Sequence, residues 1–115
     1  MTTRILVANE PRSYREVLAV AFEGLRPDTT VVCVEPDALD GEVERLDPHV
    51  VICSRLAEVA HARPLAWVAL YPDGESRSII SIKGRERVTS DDVQLGCLLA
   101  VIDQVNLLIP APRQD

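Results

Sequence analysis

The chain has no apolar run near the roughly 18 or more residues of a spanning helix, so a membrane partner is not expected. Aromatic residues are scarce, with one Trp, one Phe and two Tyr in 115 residues. That is too few for the stacking platforms of a single-strand nucleic-acid binder. Positive charge is also in deficit. Lys plus Arg total 12 against 18 Asp plus Glu, a net charge of −6, and that sign repels phosphate backbones and anionic lipid. The densest basic group, Lys83, Arg85 and Arg87, is interrupted by Glu86. Nucleic acid is therefore not expected as a partner either.

Three cysteines without a CxxC pair argue against both a disulfide framework and a zinc site. Cys33, Cys53 and Cys97 each lie in apolar segments, where a free cysteine behaves as a small buried hydrophobe. The five glycines, at 24, 41, 74, 84 and 96, are isolated, so no glycine-rich phosphate loop exists. HExxH and GxSxG are missing as well. His49 and His61 have no carboxylate at a spacing that suggests a catalytic pair. A Ser- or Cys-based enzyme using Ser54 or Cys53 lacks a visible base. No enzymatic activity, metal or cofactor is expected.

What is present is an ordinary globular composition, 47% hydrophobic and 26% charged, in a length that fits one compact domain. We expect that domain over residues 1–109, with a flexible polar tail at 110–115. Met1-Thr2-Thr3-Arg4 leads directly into a strand instead of a signal sequence, so a cytoplasmic location is expected.

Arg4 to Ala8 is a short apolar run closed by the polar turn Asn9-Glu10-Pro11, a buried first strand. Ser13 with Glu16 three residues later forms a capping box, and Tyr14, Val17, Leu18, Ala21, Phe22 and Leu25 follow as a helical stripe. Thr30 to Val34 is a β-branched second strand. Asp37 can cap a shorter helix with Leu39, Val43 and Leu46 inward. After Pro48, Val50 to Cys53 reads as a strand buried on both faces. The β-α-β-α-β rhythm with short links forces a parallel sheet with right-handed crossovers.

Beyond Ser54 the rhythm weakens. Leu56, Val59 and Ala60 allow one or two turns of a reduced third helix, and Ala66 to Tyr71 is a fourth strand. Pro72-Asp73-Gly74-Glu75 is turn chemistry, and Ser78 to Ile82 is a fifth strand only a few residues later. A parallel return needs a crossover of about a dozen residues, so this strand is expected to run antiparallel. Residues 85–88 then lead into a last helix capped by Thr89 or Ser90 and running to about Leu108. Its second apolar row, including Val93, Cys97, Val101 and Leu108, exceeds what a simple surface helix needs. That row is a candidate homodimer or partner interface.

Arg4-Ile5-Leu6-Val7-Ala8-Asn9-Glu10-Pro11 and Asp47-Pro48-His49-Val50-Val51-Ile52-Cys53-Ser54 together resemble the first and third strands of a degenerate response-regulator receiver domain. The resemblance implies a flavodoxin-like, receiver-like three-layer sandwich with a mostly parallel sheet of order 2-1-3-4-5. It also implies an acceptor site at the strand ends, where an Asp takes a phosphoryl group, an acidic pair holds Mg²⁺, and a hydroxyl and a Lys complete the set. Here Ser54 stands at the acceptor position, Asn9 and Glu10 at the acidic pair, Tyr71 near the hydroxyl and Lys83 at the Lys. An antiparallel fifth strand carries Lys83 to the other end of the sheet. One carboxylate in place of three holds Mg²⁺ poorly, and a Ser cannot form an acyl phosphate. The expected function is a non-catalytic, phosphorylation-independent interaction and signalling module acting through a homodimer or partner surface. The alternative is a small-molecule or nucleotide sensor using the strand-end crevice at Asn9, Glu10, Glu35 and Ser54.

Overall fold

The computed structural model describes residues 3–54, 64–71, 77–84 and 86–109. Six strands form one sheet: β1 Thr3–Ala8, β2 Thr29–Cys33, β3 Val50–Cys53, β4 Ala66–Ala69, β5 Ser78–Ile82 and β6 Val88–Ser90. Among the described residues three α-helices accompany them: α1 Arg12–Leu25, α2 Leu39–Leu46 and α3 Leu95–Leu108. A short 3-10 turn at Pro36–Ala38 leads into α2. The sheet order is β2-β1-β3-β4-β5-β6. β1 pairs in parallel with β2 and β3, and β3 with β4. β5 pairs antiparallel with both β4 and β6.

The observed order differs from the expected 2-1-3-4-5 by the sixth strand. Residues 86–88, expected as a lead into the last helix, instead turn back and end in β6, pairing Val88 with Ile80. Gly84 supplies the turn with φ of 84°, a conformation that glycine adopts freely. The last helix accordingly starts at Leu95 after Gln94, and neither Thr89 nor Ser90 caps it. The expected short helix around Leu56, Val59 and Ala60 and the tail at 110–115 lie outside the described residues.

Strand alternation splits the core into two layers. Ile5, Val7, Val50, Ile52, Ala66 and Val68 pack against Leu18 and Phe22 of α1 and Leu98, Val101, Ile102 and Val105 of α3. Leu6, Ala8, Val51, Cys53 and Trp67 face the other way, against Leu39 and Val43 of α2. β3 is buried along its whole length, as a strand covered on both faces must be. Cys53 is buried in this core, whereas Cys33 and Cys97 are exposed. Cys33 lies on the edge strand β2, and Cys97 on the outer side of α3.

Helix α1 departs from its expected stripe. Its buried residues are Arg15, Leu18 and Phe22, while Val17 is 63% exposed and Leu25 is also exposed. The capping box is not used: the helix begins after Pro11 without a side-chain cap, and Glu16 pairs with Arg12 at 2.9 Å. At the start of the parallel strands, His49 Nδ1 accepts the Arg4 N–H at 2.9 Å. Burial first, then the Arg4 charge, lowers the pKa of this imidazole. Among the described residues no helix is long and apolar enough to cross a membrane.

Candidate functional site

Parallel strands end together, so the residues that follow them are neighbours. The ladder continues past the strands: Val34 N–H donates to Val7 O at 3.0 Å and Leu70 N–H to Cys53 O at 2.8 Å. Asn9, Glu10, Glu35, Ser54 and Tyr71 therefore gather at one end of the sheet. There the Glu10 N–H donates to Ser54 Oγ at 2.8 Å, which ties the first strand's turn to the third.

Tyr71 has φ of 45°, an uncommon conformation for a bulky residue. Both of its ends are held: its N–H donates to Ser78 Oγ at 2.9 Å, and its hydroxyl oxygen accepts the Val93 N–H at 3.2 Å. Tyr14 from α1 is close by; burial and then the influence of Tyr71 raise its pKa. Lys83 is not in this group. Its N–H donates to Leu65 O at 2.8 Å, and Leu65 N–H in turn donates to His49 O at 2.8 Å. The antiparallel course of β5 therefore carries Lys83 to the opposite end of the sheet.

Asn9 is the unusual member. It is 0% exposed, and among the described residues neither side-chain Oδ1 nor Nδ2 has a hydrogen-bond partner. A buried polar group left unpaired costs about 1–3 kcal/mol, and native chains carry few of them. Next to it lies Arg15, 4% exposed. Its Nη1 donates to Asn9 O and its Nη2 to Glu35 Oε1, each at 3.2 Å. A guanidinium this deep must be paired, because an isolated buried charge is very costly. Glu35 does so from the rim, its side chain 69% exposed.

Arg15 borders an open cavity of about 230 Å³ lined also by Arg12, Glu16, Cys33, Val34 and Glu35. The Cys33 thiol touches Arg15 O at 3.6 Å. Although the residue as a whole is exposed, partial burial of the sulfur against α1 raises its pKa, against a lowering influence from Arg15. Reading the sequence for site residues missed Arg15, since a charged residue on a helix is assigned to the solvated face. Its signal was its spacing three before Leu18 and seven before Phe22, on the buried stripe.

A magnesium ion of the kind implied by the receiver resemblance does not suit these residues. Glu10 is the one carboxylate in the set Asn9, Glu10 and Ser54, and the Ser54 oxygen already accepts a backbone N–H. Mg²⁺ is held by carboxylates in near-octahedral geometry, which this set does not offer.

The candidate interface divides in two. Val93, in the segment before α3, and Val101, on the sheet-facing side of α3, belong to the core and are covered by the chain itself. Cys97 is exposed and Leu108 lies on the surface. Beside Cys97 runs an apolar groove of about 350 Å³ between the β5–β6 hairpin and α3, bordered by Ile80, Ile82, Glu86, Val88, Ala100 and Gln104. Val101 contributes its floor. Comparisons with protein-family models, with curated proteins and with solved structures give no match.

Proposed function

We propose that the chain is a receiver-like interaction module of flavodoxin-like type that works without phosphorylation. Support for the fold comes from four strands in the parallel order β2-β1-β3-β4 with helices on both faces. The carrying observation is the strand-end contact between the Glu10 N–H and Ser54 Oγ. A hydroxyl fastened to the first turn occupies the place at which receiver chemistry needs a free carboxylate beside an acidic pair. A hydroxyl at that position cannot form an acyl phosphate, and the Ser54 oxygen already accepts the Glu10 N–H. The interaction surface is the groove between the β5–β6 hairpin and α3, where Val88 and Cys97 are exposed, and its partner is a second copy of the chain.

The chemical half of this reading is tested by incubating the full chain with Mg²⁺ and acetyl phosphate and measuring the intact mass. No phosphoryl adduct is expected. An adduct mapped to Ser54 or to any Asp overturns the proposal.

A further inference from the structure

We infer that the cavity between α1 and the end of β2 binds a small zwitterion of the α-amino acid type. This goes beyond the interaction module and does not depend on it. The cavity walls balance in charge: Arg12 pairs with Glu16 at 2.9 Å and Arg15 with Glu35 at 3.2 Å, and all four border the space. A ligand bearing one anionic and one cationic group matches such walls, while a polyphosphate meets Glu16 and Glu35 in a chain of net charge −6. At about 230 Å³ the space lies below the roughly 300–1,000 Å³ of sites for drug-sized ligands, which suits a metabolite of few atoms.

The depth of each group sets the ligand's orientation. Arg15 is 4% exposed and has two hydrogen bonds among the described residues for five N–H donors. It has donor capacity left for a ligand carboxylate. Glu35 at the rim holds Arg15 through a single oxygen and is placed to accept from a ligand ammonium. Cys33 and Val34 form the less polar wall for the ligand's side chain.

The test is a ¹H–¹⁵N titration of the full chain with each of the twenty amino acids in turn at millimolar concentration, with thermal melts in parallel. At least one is expected to shift the Arg15, Cys33 and Glu35 signals saturably and to raise Tm by mass action. Its deaminated acid and its decarboxylated amine are expected to bind at least tenfold more weakly, as is the amino acid itself to Glu35→Gln. Cys33→Trp, at an exposed position, is expected to fill the cavity and abolish the shifts while the ligand-free melt stays in place. Should Cys33→Trp fold poorly, Glu35→Gln still decides. The inference is overturned if no amino acid moves these signals, if the acid alone binds as well as the amino acid, if inorganic phosphate binds more tightly than any amino acid, or if both variants bind like the parent chain.

Discussion

Single residues at the strand ends show a trade of stability for some other purpose. Asn9 is buried and its amide has no partner among the described residues, although an apolar residue at the same place would avoid the desolvation cost. Asn9→Val, similar in size and suited to extended backbone, is expected to raise the unfolding free energy by about 1–2 kcal/mol. Urea unfolding of both chains checks this, and a lower midpoint for the variant would show that the amide is satisfied in solution. Stability gained by replacing a site residue is the usual mark of a position kept for function. Arg15 belongs to the same economy, because its charge is held by one carbonyl and one rim carboxylate.

At the scale of elements, glycine separates two backbone requirements. Gly84 sits at φ of 84° in the turn between β5 and β6, and a Cβ there meets nothing within 4 Å. The cost of Gly84→Ala is therefore conformational alone, about 1–2 kcal/mol. Gly41 lies inside α2 and a Cβ there also meets nothing, so Gly41→Ala is expected to stabilise by about 0.5–1 kcal/mol. Opposite shifts in Tm check the pair; a stabilising Gly84→Ala would mean that the turn does not need its left-handed residue. The same elements show what the sequence made legible. β1, β3 and β4 are apolar runs between polar turns, and the short link after β4 dictated the antiparallel β5. β6 was not legible, since Val88-Thr89-Ser90 is too brief for any alternation and its only advertisement was Gly84. The face of α1 was misjudged because Val17 and Leu25 look like core, whereas Arg15 is what the sheet end requires. At the site, the gathering of Asn9, Glu10 and Ser54 followed from strand order; the Arg15 pairing did not, as it depends on which way one helix is rolled.

For the whole molecule, the sheet is finished by a hairpin instead of a further crossover helix, and that choice creates the surface. β5 and β6 extend the sheet beyond β4, so α3 covers the sheet and leaves the groove of about 350 Å³ along the hairpin. The proposed second copy, seated there, would bury apolar surface against the mutual repulsion of two chains that each carry −6. Salt screens that repulsion, so association is expected to tighten as ionic strength rises. Two lysine substitutions distinguish this proposed docking face from the core beneath it. Val88 is 55% exposed, and Val88→Lys is expected to abolish the dimer while changing monomer stability by no more than about 0.5 kcal/mol. Val101 is 5% exposed, and Val101→Lys buries an unpaired charge, so it is expected to unfold the chain outright. Sedimentation at tens of micromolar, with urea midpoints measured alongside, reads both. If the parent chain sediments as a monomer at every ionic strength, or if Val88→Lys leaves a dimer intact, the groove is not where copies of this chain meet.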